Sequence, residues 1–152
     1  MIGALSTQAT DLLWHFDHLP NESHGSVLHR GLLNGLEFVF KEYGVSGAKV
    51  EHAAGLSSQE EQWSWVMEQT SHIEKLYGAE AAQSQMAAIS RSLAGKMSSE
   101  IDWSTGKPVP RVADKPGAAA LITRALEAVP LLGAAAPDLE NSLQEILEKL
   151  LK

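Results

Sequence analysis

The residues most able to bind a metal ion or carry a proton are crowded into one stretch, HFDHLPNESHGSVLHR at 15–30. It holds four of the chain's six histidines together with one Asp and one Glu. His15 and His18 are three residues apart, so on a helix they share a face. In an antiparallel hairpin that turns near Pro20, His29 would approach them from the second helix. The stretch therefore allows a metal site, a proton-sensitive cluster, or simply the polar rim of a hairpin.

Three imidazoles and one carboxylate form a donor set that zinc and other divalent transition metals accept. A metal-dependent hydrolase or transferase, with a metal-bound water as nucleophile, is therefore the alternative hypothesis. Its metal ligands would be His15, His18, His29 and Asp17. No HExxH or comparable spaced motif supports it, and solvated turn histidines are the more frequent outcome.

Protonation is a further interpretation of the same residues. Protonation of all six histidines would change the formal net charge of the chain from −7 to −1. The clustered imidazoles would then repel one another, and the hairpin could loosen at about pH 5–6. Histidines on exposed turns more often titrate without consequence.

Other chemistry finds little support in the sequence. The chain has no Cys, which excludes disulfides, thiolate metal sites and thiol nucleophiles. The segment SGAK at 46–49 fits the SxxK motif, but its companion motifs are missing. The GK of LAGKM at 93–97 lacks the upstream Gly and the following Ser or Thr of a phosphate loop. We treat both matches as chance.

The charge balance bears on the kind of partner. Twelve Lys and Arg against 19 Asp and Glu give a formal charge of −7, which disfavours nucleic acid as the ligand. The N-terminal residues MIGALSTQATDLL lack a basic residue and the continuous apolar run of a signal peptide. No uncharged apolar segment of the chain is long enough to span a bilayer. We expect a soluble cytoplasmic protein that binds another protein or itself, with no nucleic acid and no membrane.

Most of the chain shows hydrophobic residues at steps of three and four, the spacing of amphipathic helices. With 152 residues and a hydrophobic fraction of 44%, this predicts an all-α bundle of five to six helices in a single domain, residues 1–152. The predicted core bundle, 7–97, has four helices, at 7–19, 23–43, 58–77 and 79–97. The Gly-punctuated segment 45–56 is predicted to be a loop that crosses the bundle.

A long irregular connection is predicted at 98–117, because this segment has three Pro, two Gly and no sustained periodicity. It carries Trp103, Lys107 and Arg111, an aromatic and basic mixture in an acidic chain. Such a segment could hold a ligand or partner. More frequently, a segment of this kind packs over the surface of the bundle, which here would bury Trp103.

Two C-terminal helices are predicted within 118–152. Asp114 is the expected N-cap of the first and Pro130 its expected end, while Asp138 caps the second. The last helix has a stronger apolar stripe than docking at a bundle edge needs, so it could pair with a second copy or another protein. Intramolecular docking is the more frequent outcome. The residues that would contact a partner on this helix are Leu143, Leu147 and Leu150.

The segment QWSWVMEQ places Trp63 and Trp65 about 160 degrees apart on a helix, so we expect one of them to face something other than the core. Trp65 would face either a partner or the loop at 45–56. The leading hypothesis is a non-catalytic protein-protein interaction module, such as an inhibitor, adaptor or accessory subunit. It would act through Trp65, the segment around Trp103 and the last helix.

Overall fold

The computed structural model describes residues 18–102, 106–108, 112–132 and 136–152. The described residues form six helices, and the only strands among them are two of two residues each, so the predicted all-α fold is confirmed. The helices are α1 His24–Phe40, α2 Gly47–Ala54, α3 Gln59–Tyr77, α4 Ala79–Met97, α5 Lys115–Leu132 and α6 Pro137–Leu150. The strands β1 Ile101–Asp102 and β2 Lys107–Pro108 pair antiparallel within the connection that was predicted to be irregular. None of the described helices is both long and apolar enough to cross a bilayer.

The chain divides into two compact units, residues 1–41 and 42–152. In the first unit, α1 begins at a capping box. The Ser26 N–H donates to the Ser23 hydroxyl at 3.3 Å, and the Ser23 N–H donates to the Ser26 hydroxyl at 2.9 Å. These bonds satisfy N–H groups that have no partner within the helix, which fixes where α1 starts. Most of the predicted helix at 7–19 lies outside the described residues.

The second unit is organised around α4, which contacts α2, α3, α5 and α6. Its buried residues cover about 160 degrees of the helix circumference, an arc wide enough for more than one neighbour. Along the sequence of α4, small buried residues are interspersed with large ones, so that neighbouring helices can approach closely. The buried residues of α4 are Ala82, Gln83, Met86, Ala87, Ile89, Ser90, Leu93, Ala94 and Met97.

The segment predicted to be a loop at 45–56 contains the helix α2, so that prediction was wrong. The Ser46 hydroxyl caps this helix by accepting from the Lys49 N–H at 3.4 Å. Val50, Ala53 and Ala54 are buried at helical spacing against the core. A helix of eight residues is marginal alone, so packing against α4 decides its structure rather than local preference.

The start of α5 is fixed by Asp114, as predicted. Its carboxylate accepts from the Gly117 N–H at 2.8 Å, and its own N–H donates to the Met97 carbonyl at the end of α4 at 2.8 Å. A Cβ at position 117 would overlap the Asp114 carboxylate, so the cap in this geometry requires glycine there. The backbone bond to Met97 joins the two ends of the connection between α4 and α5.

The other helix ends differ in detail from the sequence prediction. Pro130 lies inside α5, which continues to Leu132. The N-cap of α6 is Ala136 rather than Asp138, which lies in the first turn. The Gln83 side chain donates to the Val129 carbonyl at 2.9 Å and so supplies a buried donor near the end of α5.

The hydrophobic core of the described residues runs from Val50 to Leu143 and draws on α2 through α6. The two C-terminal helices are therefore part of this core, which agrees with the expectation that the last helix docks within its own chain. No side chain described in α1 is buried. Whether the whole chain is one domain stays a prediction.

An ion pair between Glu60 and Arg124 links the surfaces of α3 and α5. The pKa of the Glu60 carboxyl lies below its ordinary value, because Arg124 donates a hydrogen bond to it and adds a positive charge. A lowered folded-state pKa stabilises the fold at pH values above the unfolded pKa. This stabilisation is lost as the pH falls through the pKa of the Glu60 carboxyl in the folded state. The pair is exposed, so its effect is small.

We predict that Gln83→Leu lowers the free energy of unfolding by about 1–3 kcal/mol, because the Val129 carbonyl loses a buried donor. Denaturant unfolding measures the change. The matched control is Gln85→Leu on the same helix, which removes a half-buried amide with no hydrogen bond in the described structure. Equal effects of the two substitutions would show that the bond to Val129 adds nothing.

Ser90 gives a prediction of opposite sign. Its hydroxyl is fully buried and has no hydrogen-bond partner in the described part of the chain. Ser90→Ala should raise the free energy of unfolding by about 1 kcal/mol, since the buried polar group is removed. Ser92→Ala, at an exposed position of α4, controls for helix propensity and should gain less. A loss of stability in Ser90→Ala would contradict this account.

Candidate functional site

The described part of the predicted metal site does not form a metal centre. His18 and His29 are both exposed, while His15 and Asp17 lie outside the described residues. Within the described residues, no group of three or more His, Asp or Glu side chains is arranged to hold a metal ion. Because two of the four predicted ligands lie outside the described residues, the metal-dependent alternative stays a prediction.

Two adjoining clefts lie beside α2 and α3, with volumes of about 520 and 470 Å³. Lys49, Glu68 and Gln69 line both clefts, and Trp65 forms part of the second. The edge of the Tyr43 ring meets the Tyr77 ring at the end of α3, with centroids 5.3 Å apart and planes at 80°. The clefts are thus built from two helices and the residues that lead into α2.

The clefts carry charges of both signs, all on exposed side chains. Lys49 and Glu68 are exposed, as are His72 and Glu42, whose Nε2 and Oε2 atoms lie 3.7 Å apart. Water competes for such groups, so the interactions between them are weak. The described lining contains no buried acid or base next to a nucleophile, which is the arrangement that covalent or general acid-base catalysis uses. The clefts suit weak polar contacts.

Trp65 is half-buried and packs against the core, next to the α2 residues that share its cleft. Trp63 is also half-buried and packs against the same core. The two indoles flank the buried ridge of α3, which is formed by Gln62, Val66, Thr70 and Ile73. Both indoles therefore contact the core, contrary to the expectation for one of them, while the place of Trp65 beside α2 agrees with the predicted alternative in which it faces the segment 45–56. A helix with neighbours on both sides can bury two residues that lie about 160 degrees apart.

Of the other predicted partner contacts, the structure describes Lys107 and the three leucines of α6. Lys107 is exposed in β2, while Trp103 and Arg111 lie outside the described residues. Leu143 is only 1% exposed and belongs to the core, so it offers no surface to a partner. Leu147 and Leu150 are half-buried against that core, so the strong stripe of α6 packs within its own chain.

One surface of α1 was not predicted from the sequence. Four of its leucines are strongly exposed, and by helical geometry they lie on one side of the helix. This leucine face consists of Leu28, Leu32, Leu33 and Leu36, which are 77%, 65%, 44% and 48% exposed. Val39 and Phe40 continue it toward the end of α1, at 44% and 51% exposure.

The opposite side of α1 has a different character. Val27 and Phe38 are half-buried there, beside the charged residues Arg30 and Glu37. Apolar residues therefore occupy more of the circumference of α1 than a single contact requires. The sequence prediction placed this whole helix in the core bundle at 7–97. The width of the apolar surface indicates two contact surfaces, of which the leucine face is exposed.

No protein-family model matches this chain, and no curated protein or solved structure shows significant similarity to it.

Trp65→Ala tests whether this indole serves the fold or a partner. We predict a loss of about 1–3 kcal/mol in the free energy of unfolding, because half-buried aromatic contacts with the core are removed. Chemical denaturation followed by circular dichroism measures the loss. If the variant were as stable as the wild type, Trp65 would be free to act as the predicted partner contact.

Proposed function

We propose that this chain is a non-catalytic protein-protein interaction module and that α1 is its contact helix. The observation that carries the proposal is the exposure of the leucine face, where Leu28 and Leu32 are 77% and 65% exposed. Isolated exposed leucines are common at protein surfaces. A contiguous row of them is typical of a binding site.

Covering such a face with a partner lowers the free energy of the protein. Removing apolar side chains from water is favourable in proportion to the area removed. A helix of 17 residues is also only marginally stable unless its apolar side packs against something. A partner that covers the leucine face therefore stabilises α1 and gains affinity from the same contact. Amphipathic helices that dock by such a row of leucines are a recurrent recognition mode.

The proposal differs in location from the one drawn from the sequence. There, Trp65, the segment around Trp103 and the last helix were the expected contacts. Trp65 and the stripe of α6 pack against the core of their own chain, and this weakens the case for both. Lys107 keeps its exposed position, and its predicted role stays a prediction. The leucine face takes their place as the contact surface.

Site-specific photo-cross-linking tests this function. A photoreactive amino acid would replace Leu32 on the leucine face, with the same replacement at Glu37 on the opposite side as matched control. After illumination in lysate of the source cells, we expect protein adducts from position 32 and few from position 37. Adducts can be detected by a shift in electrophoresis and assigned by mass spectrometry.

The contrast between the two positions is the readout, rather than the capture of a protein as such. Equal labelling from both positions would mean that the leucine face is not a specific contact surface. No adduct from either position would remove the support for an interaction module.

A further inference from the structure

A small cleft of about 190 Å³ lies between α4 and α6, and its lining differs from that of the two clefts beside α2 and α3. Four of its residues belong to α4 and three to α6. We propose that this cleft binds a small carboxylate that carries a short alkyl chain. The proposal is independent of the interaction function assigned to α1, because no residue of α1 lines the cleft.

Small side chains on α4 leave the space open. Ser84, Ala88 and Arg91 follow one another at steps of four and three, so they lie along one side of the helix over about 10 Å. Ala87 adjoins them and is buried. Because the residues between Ser84 and Arg91 on this side are alanines, α4 does not fill the space that faces α6.

The inner surface of the cleft is apolar. Leu143 and Ala87 belong to the hydrophobic core, and Leu139 is half-buried against it. Methylene groups that lie against this surface are removed from water, which is favourable in proportion to the area covered. The cleft should therefore prefer an ion with a short alkyl chain over a bare inorganic ion.

The polar groups of the cleft are hydrogen-bond donors that no neighbouring side chain uses. Arg91 is exposed, and among the described residues it has neither an ion pair nor a hydrogen bond. The hydroxyls of Ser84 and Ser142 also have no hydrogen bond in the described part of the chain. No acidic residue is among those that line the cleft, so Arg91 gives it a positive charge in a chain of net charge −7.

A carboxylate is the group that suits these donors. The planar guanidinium of Arg91 can donate two parallel hydrogen bonds to the two oxygens of one carboxylate. A serine hydroxyl can donate a further bond to the same group. A cationic ligand would be repelled by Arg91, and an uncharged one would leave the guanidinium without a counter-charge. The other two clefts contain acidic side chains as well as basic ones and lack this preference.

The volume of the cleft limits the size of the ligand. A water molecule takes up roughly 30 Å³ in the liquid, so 190 Å³ corresponds to about six water molecules. Butyrate, with its four carbon and two oxygen atoms, matches this volume, whereas drug-sized ligands occupy clefts of roughly 300–1,000 Å³. Few atoms make contact and Arg91 is exposed to water, so we expect a dissociation constant of about 1 mM.

Titration of the full chain with butyrate, followed by NMR at constant ionic strength, tests the site. The backbone amide signals of Ser84, Arg91 and Ser142 should shift and then saturate at millimolar concentrations, of about the order expected above. Two probes separate the contributions of charge and chain. 1-Butanol has the chain without the charge, inorganic phosphate has charge without the chain, and each should bind at least about 10-fold more weakly than butyrate.

Arg91→Gln should raise the dissociation constant for butyrate at least about 10-fold, because the charged hydrogen bonds to the carboxylate are lost. Arg30→Gln is the matched control, since it removes an exposed arginine that does not line the cleft and should leave the constant unchanged. Ala88→Leu places a larger side chain in the cleft and should prevent binding. Circular dichroism of each variant shows whether the fold is kept, and Arg91, being exposed, can be replaced with little effect on it.

The absence of shifts at these amides up to about 50 mM butyrate would overturn the proposal, because this concentration far exceeds the expected constant. Equal affinity of Arg91→Gln and the wild type would overturn it as well, as would shifts spread over the surface instead of around the cleft. Phosphate binding as tightly as butyrate would contradict the part assigned to the apolar surface. 1-Butanol binding as tightly as butyrate would contradict the part assigned to Arg91.

Discussion

Close packing around α4 is the constraint on which the rest of the second unit depends. Ala82, Ala87 and Ala94 are almost wholly buried there, and their short side chains let neighbouring helices approach while Met86 and Leu93 fill the remaining space. The short helix α2 and the strongly amphipathic α6 both gain their packing from this core. Larger side chains at the alanine positions would separate the helices and expose the leucines and methionines between them.

The helix α1 contrasts with this arrangement. Its sequence is more apolar than that of α3 or α4, yet its leucines are exposed, whereas the alanines and methionines of α4 are buried. Burial in this chain therefore does not follow hydrophobicity along the sequence. It follows the availability of a neighbouring helix.

The sequence was informative where local physical chemistry decides the structure. Ser58 and Glu61 form a capping box at the start of α3, as Asp114 caps α5, and residues of these types at these spacings are start signals that a sequence displays. The sequence was uninformative where a tertiary contact decides the local structure. The helix α2 lacks a strong pattern and was predicted to be a loop. The width of the apolar surface on α1 and the burial of both Trp63 and Trp65 depend on which neighbours are present, and a single sequence does not specify them.

The backbone bond from Asp114 to Met97 means that the excursion between α4 and α5 begins and ends at one place on the core. Chain closure there is set by that bond and by the Asp114 cap, and the cost of closing a loop rises only slowly with its length. The connection between α4 and α5 is therefore a suitable place for inserting foreign sequence. Foreign peptides of different lengths can be displayed between Ser98 and Ala113 while the helical scaffold beneath them keeps its packing.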